Sequence, residues 1–168
     1  MAKTDWVWDD YPTLRSGMQG PSVLKLQRHL HLRLAEFGSL VPHVPLTGRF
    51  DQATAASVRY LQCVAFLPVD GVVGLRTWDF LLIGVRSHPI LAVGSQGAMV
   101  WQIQDTLKRL GYPVVSDGLF SPALAAHLRN YQALSGVLES GLMERKTWQL
   151  LVRDRVRMPR WWLVLHAA

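Results

Sequence analysis

One cysteine, Cys63, is all the thiol chemistry that this 168-residue chain possesses. A single thiol excludes an internal disulfide framework and, alone, a thiolate zinc cluster. No apolar run approaches the ~18 unbroken residues that a membrane-spanning helix needs. The opening residues, Met1 to Asp10, lack the basic-then-apolar order of a secretory signal, so a cytoplasmic location is expected from the chain as it stands. Phosphate-cradling loops are missing as well, because the Gly-x-x-Gly elements have no Lys-Ser or Lys-Thr behind them. Charged residues are only 18% against 49% apolar, which suffices for a core and excludes wholesale disorder.

Catalytic sets are equally thin. The six histidines, His29, His31, His43, His88, His127 and His166, are scattered over what read as helices, loops and a tail. A zinc hydrolase needs a closed set of ligands round one open position, whereas His29 and His31, two apart on a helix, point to different faces. Solvated surface histidines are the expectation, with no metal and no cofactor. Cys63 lies in the apolar stretch Leu61 to Phe66 with no basic neighbour to favour a thiolate, as a small packed hydrophobe would. Asp9 and Asp10 are paired carboxylates on a tail that cannot preorganise them. The chain therefore reads as non-enzymatic.

What is present is basic and unevenly spread. The formal net charge is +6 and the sequence pI near 10.0. Half of that excess falls in residues 153–168, where Arg153, Arg155, Arg157 and Arg160 face only Asp154, while residues 1–11 are net acidic. Such a balance favours anionic partners without choosing among nucleic acid, acidic protein, anionic lipid or wall polymer.

The most informative feature is internal duplication. Leu14, Gly17, Gln19, Gly20, Val23 and Gln27 return at a constant offset of 77 as Leu91, Gly94, Gln96, Gly97, Val100 and Gln104. Further on the offset is 70, matching Gly48, Phe50, Arg59, Gln62, Gly71, Thr77 and Trp78 with Gly118, Phe120, Arg129, Gln132, Gly141, Thr147 and Trp148. The first copy thus carries seven extra residues within Ser39 to Leu46, whose two prolines and lack of helical period mark a loop. Two units are expected, at 12–82 and 89–151, joined by a linker at 83–88 and flanked by tails at 1–11 and 152–168.

Each unit reads as three helices. After Gly20 and Pro21, the residues Val23, Leu26, Leu30, Leu34 and Phe37 recur at steps of three and four, and Val100, Ile103, Leu107 and Leu110 repeat the stripe up to Gly111. A second helix starts at Asp51, or at Ser121 and Pro122, residues that satisfy the free N–H groups of a first turn. A turn at Asp70 and Gly71, or Ser140 and Gly141, leads to a short third helix carrying Trp78 and Leu81, or Trp148 and Leu151. The predicted fold class is all-α: two tandem three-helix units, each closed round one tryptophan, with aromatic-rich tails.

In this order the motifs L-x-x-G-x-x-G-x-x-V-x-x-L-Q, then D-G-x-F, F-Q and D-G-V-V-G-x-x-T-W resemble the small helical peptidoglycan-binding domain appended to bacterial wall hydrolases. Copy one supplies Leu14, Gly17, Gly20, Val23, Leu26, Gln27, Gly48, Phe50, Gln62, Asp70, Gly71, Gly74, Thr77 and Trp78; copy two supplies Leu91, Gly94, Gly97, Val100, Gln104, Asp117, Gly118, Phe120, Gln132, Gly141, Thr147 and Trp148. The resemblance implies binding of cell-wall polymer, reached by a non-standard route if the chain lacks an export signal. It offers Gln27, Arg49, Gln62, Asp70, Gln104, Asp117 and Gln132 as ligand contacts. A competing reading gives the glutamines a structural task, tying a helix to a loop. The sequence departs from the family pattern at Thr47 and Ser140, which replace turn aspartates, at Asp51, Ser121 and Glu144, which replace glycines, and at Phe66, which stands where copy two has Gly136.

The tails carry Trp6 and Trp8 at one end and Arg153, Arg155, Arg157, Arg160, Trp161 and Trp162 at the other. Tryptophan and arginine are enriched where partners bind, but the tails could equally fold back over the small cores. A second functional reading is therefore an intracellular basic scaffold that holds acidic subunits of a large assembly, as linkers do in light-harvesting antennae. Nucleic acid is the weakest partner, since the aromatics cluster beside the arginines instead of interleaving with them.

Overall fold

The structure, a computed structural model, describes residues 10–38 and 44–158. These residues fall into two compact units that divide between Ser87 and His88. The first contains α1 (Pro21–Ala35), α2 (Gln52–Val64), α3 (Leu75–Ile83) and a 3-10 turn at Gly84–Ser87; the second contains α4 (Ala98–Arg109), α5 (Pro122–Leu134) and α6 (Arg145–Arg157). Among the described residues there is no strand, only four isolated β-bridges. Trp6, Trp8, Arg160, Trp161 and Trp162 lie outside the described residues.

Helix starts follow from local chemistry. Gly20 and Gly97 turn the chain at φ 122° and 114°, conformations that disfavour any residue with a Cβ, and Pro21 occupies the first helical position where a missing N–H costs nothing. Asp51 caps α2 by accepting the Thr54 N–H at 2.9 Å, and Ser121 caps α5 by accepting that of Leu124 at 3.1 Å.

Both cores use the same solution. In the first, Val23, Leu26 and Leu30 of α1 and Val58 and Leu61 of α2 bury against Trp78, whose indole N–H donates to the Pro12 carbonyl at 2.8 Å. In the second, Val100, Ile103, Leu107 and Leu128 are buried with Trp148, whose N–H donates to the Pro89 carbonyl at 2.9 Å. The indole thus fills the centre with one apolar body and spends its single donor on the chain entering the unit.

Four backbone bridges pin the irregular segments. Leu14 pairs with Val73 and Leu91 with Met143, so the segment entering each unit lies against the turn before its third helix. Gln19 pairs with Arg49 and Gln96 with Leu119, so the turn before each first helix lies against the turn before the second.

The third helices differ. Gly84, at φ 61°, ends α3, but its counterpart in register is Asp154, which continues α6 to Arg157. The expected tail from residue 152 is thus corrected: residues 152–157 are helical. Arg155 is only 2% exposed and donates through Nε to Thr106 Oγ1 at 3.0 Å and through Nη1 to Gln102 Oε1 at 2.9 Å. It fastens α6 to α4 and is not available as a tail contact for a partner, while Arg153 and Arg157 remain exposed on the same helix. The 83–88 linker is occupied by the last residue of α3 and the 3-10 turn.

Phe66 is the described non-glycine residue with positive φ, at 57°, where the second unit has Gly136 at 68°. The hydrogen bonds after α2 demand this turn, since Leu67 N–H returns to Gln62 O at 2.9 Å just as Val137 returns to Gln132 at 3.1 Å. The left-handed backbone costs a residue with Cβ about 1–2 kcal/mol, while burying a phenyl ring contributes about 1.5–3 kcal/mol. Burial wins, and Phe66 is 1% exposed. Phe66→Ala is expected to cost about 3–5 kcal/mol. Phe66→Gly loses the same ring but relieves the backbone, so it should be more stable than Phe66→Ala by up to about 1 kcal/mol, the reverse of the usual order. Urea unfolding of the two variants measures this.

Candidate functional site

The four glutamines marked by the duplication all point inward, at 0–1% exposure. Gln27 Oε1 accepts the Gly48 N–H at 2.8 Å, and its Nε2 donates to Arg49 O at 2.9 Å and Thr54 Oγ1 at 3.0 Å. Gln62 repeats this with Gly71 N–H and Val72 O, both at 2.9 Å. Gln104 does so with Gly118 and Leu119, and Gln132 with Gly141 and Leu142. Each amide acts as a peptide group reaching in from a helix, accepting from a glycine and donating to the next residue's carbonyl. Both donors of every amide are spent within the fold. Gln27, Gln62, Gln104 and Gln132 are thus buried, each tying a helix to a glycine turn.

The residue before each glycine completes the turn. Asp70 Oδ1 accepts from Gln62 Nε2 at 2.9 Å and from Val72 N–H at 2.8 Å; Asp117 Oδ1 does the same with Gln104 at 2.7 Å and Leu119 at 2.9 Å. The Leu119 N–H, then the Gln104 amide, hold the Asp117 carboxyl below the usual carboxylate range. Thr47 and Ser140 fill the same place with hydroxyls, accepting from Arg49 N–H and Leu142 N–H at 3.2 Å each. The departures at these turns thus keep the hydrogen-bond pattern while removing a charge. Asp70 and Asp117 are exposed.

Of the sequence-derived candidates, Arg49 lines a surface groove. A depression of about 460 Å³ is walled by Gln19, Gly20, Pro21, Leu24, Thr47, Gly48 and Arg49. A second of about 530 Å³, sharing Pro21 and Leu24, runs along α1 to Lys25, Arg28, His29 and Leu32. Together they form a groove with an apolar floor and basic flanks. Lys25 is held at one edge, its Nζ 3.8 Å from the centre of the Tyr11 ring and 3.2 Å from Asp10 O, while Arg28 and Arg49 are exposed.

The second unit keeps the backbone of this place and changes its chemistry. A Cβ on Gly48 would meet Gly20 O at 3.6 Å and Leu24 Cβ at 3.9 Å; one on Gly118 would meet Gly97 O and Trp101 Cβ at those same distances. Trp101 thus stands where Leu24 stands, Asp117 where Thr47 does, and Leu119 where Arg49 does. Trp101 and Leu119 are each 40% exposed. Sequence reasoning passed over Leu24, Arg28 and Trp101; the signal available was that Trp101 falls off the stripe of Val100, Ile103 and Leu107 and so faces outward.

The histidines depart from the solvated reading at three places. His29 is half-buried in an aromatic cluster, its ring 6.2 Å from Tyr11 and 6.1 Å from Trp78; His88 stacks edge-on to Trp148 at 4.6 Å, and His127 lies 6.5 Å from Tyr112. Small cores recruit whatever ring is adjacent. Burial, then the charges of Lys25 and Arg33, lower the His29 pKa below 6.5. Burial and a 2.6 Å bond to Asp154 Oδ2 likewise push the Tyr131 hydroxyl up. Among the described residues, no group of three His, Cys, Asp or Glu side chains is placed to hold a metal, and no helix is long and apolar enough to cross a membrane.

A family model described as "Putative peptidoglycan binding domain" matches the chain twice, over residues 19–81 and 96–151. Each match covers one helical unit from the turn before its first helix into its third. No curated protein and no solved structure matches the chain.

Gln132→Met removes one clamp and leaves the Gly141 N–H and the Leu142 carbonyl without their partner. A loss of about 2–4 kcal/mol in urea unfolding is expected. For His29 the neutral ring is the form the folded state prefers, so its contribution is fully present above pH 6.5 and declines as pH falls below that value. His29→Gln should flatten the decline in urea midpoint between pH 7.5 and pH 5.

Proposed function

Since the chain belongs to the peptidoglycan-binding domain family, we propose that it is a non-catalytic protein that binds bacterial cell-wall polymer through two tandem units. The observation that carries this reading is the double family match, one per helical unit. The described residues fall into these two compact units. The binding face we assign is the groove over the start of α1 and its counterpart over the start of α4.

The two places suit different parts of a wall polymer. Leu24 and Pro21 give the first groove an apolar floor, and Arg28 and Arg49 give it a positive rim for anionic groups. Exposed Trp101 offers the second a flat apolar face on which the C–H side of a sugar ring packs, with the exposed Asp117 carboxylate beside it to accept hydroxyl protons. Two weak sites on one chain gain by effective concentration, by a factor on the order of 10²–10⁴ over either alone when both engage one polymer.

A scaffold role is the second reading, favoured by Leu134 and Leu138, which are 79% and 76% exposed on the second unit. It requires acidic proteins to co-purify with the native chain.

Depletion from solution by purified sacculi at low salt tests the wall reading. Wild-type protein is expected in the pellet, with Trp101→Ala and Arg49→Ala each weakening retention by about tenfold, equivalent to about 1.4 kcal/mol. Protein that stays wholly in the supernatant would refute it.

A further inference from the structure

Two arginines kept by the duplication make no hydrogen bond or ion pair among the described residues. Arg59 of α2 and Arg129 of α5 stand three residues ahead of Gln62 and Gln132, one turn along the helix from the amide that ties down Gly71 or Gly141. Their head groups lie on those glycines. A Cβ on Gly71 would stand 3.1 Å from Arg59 Nε and 3.3 Å from its Cζ; one on Gly141 would stand 2.9 Å from Arg129 Nε and 3.1 Å from its Cζ. Both glycines also sit at positive φ, 73° and 70°. Each turn is therefore bare on the side where the guanidinium rests, and any side chain there would displace it.

Three other arginines are engaged within the fold. Arg33 donates to Glu36 and to Leu81 O, Arg109 pairs with Asp105 at 2.9 Å, and Arg155 is buried on Thr106 and Gln102. Arg59 and Arg129 are exposed, and among the described residues neither guanidinium has a hydrogen bond or an ion pair. The nearby acids are otherwise engaged: Asp70 holds Gln62 and Val72, while Glu144 accepts from Ser140 Oγ at 3.0 Å. Those acids change identity and position between the units. The arginine and its bed of glycine backbone do not.

Ordering an exposed arginine against one face costs side-chain entropy. A guanidinium already resting against a turn has met part of that cost before a ligand arrives, and its planar fork of N–H donors matches a carboxylate at two points. We propose that Arg59 and Arg129 form a carboxylate-receiving site, one per unit, separate from the groove over α1 and α4. Resting on the wall-binding reading, this makes the peptide carboxylates of the polymer the group recognised by the α2 and α5 faces, beside the sugars and anionic groups met by the grooves at the starts of α1 and α4.

The test uses the full chain, as wild type and as the double variants Arg59→Gln/Arg129→Gln and Arg59→Lys/Arg129→Lys, each checked for unchanged helical circular dichroism and Tm. Binding is measured to intact sacculi and to sacculi whose carboxylates have been amidated with carbodiimide and ammonia. Wild type is expected to bind the amidated wall about tenfold more weakly, and the glutamine variant, whose basic groove rim is intact, to lose most of that discrimination. The lysine variant, which keeps charge but loses the fork, should fall between them and should serve if the glutamine variant does not fold. Wild type that treats both walls alike, or a glutamine variant that discriminates as strongly as wild type, overturns the proposal.

Failure of wild type to bind intact sacculi at all refutes the wall reading instead. The site is then judged alone by the Nε–H resonances of Arg59 and Arg129 during titration with acetate and, separately, inorganic phosphate. A shift with acetate that the neutral analogue acetamide does not produce sustains a carboxylate site. No shift, or a shift with phosphate only, overturns it.

Discussion

A glutamine amide buried under a glycine turn is the interaction on which the rest of this protein depends. It occurs four times, and each time one side-chain group replaces a missing stretch of backbone pairing by accepting one N–H and donating to one carbonyl. Irregular turns at the heart of a small domain would otherwise carry unsatisfied polar groups, each costing about 1–3 kcal/mol. Units of this size have only a few kcal/mol of net stability to lose. With the turns fixed, the bridges from Leu14 to Val73 and from Leu91 to Met143 follow, and the entering chain is held where its carbonyl meets the tryptophan N–H.

Because the clamps use side chains and backbone that both units share, the surfaces outside them are free to diverge. Thr47 and Ser140 can replace aspartates, since a hydroxyl accepts the same turn N–H. Leu24 becomes Trp101 and Arg49 becomes Leu119 with no change in how Gly48 and Gly118 sit on the preceding turn. The third helices diverge as well, for Gly84 stops α3 where Asp154 lets α6 run on and bury Arg155. One frame thus carries two unlike surfaces.

Much of the frame was legible because its causes are local. Asp51 and Ser121 before their helices, Pro21 and Pro122 within first turns, and the Val23 to Leu34 stripe each act through neighbours in the chain. The constant register of glycines and tryptophans then announced two copies, and the family match over 19–81 and 96–151 agrees with them. The same register misled at the end of the third helix, where matching residues up to 151 suggested a common stop. Arg155 looked like part of a basic tail because its partners, Gln102 and Thr106, lie about fifty residues away and leave no local trace.

The sequence by itself determined the helical periods, their caps, the turns that only glycine tolerates, and the repetition of the unit. These are decided by steric and hydrogen-bond rules acting within a few residues. Tertiary structure alone decided which polar groups are spent and which face water: it buried four glutamines and one arginine, seated His29 among aromatic rings, and left Arg49, Arg59, Trp101 and Arg129 at the surface. A side chain's availability for binding depends on every partner within reach of it in space, and sequence order does not encode that distance.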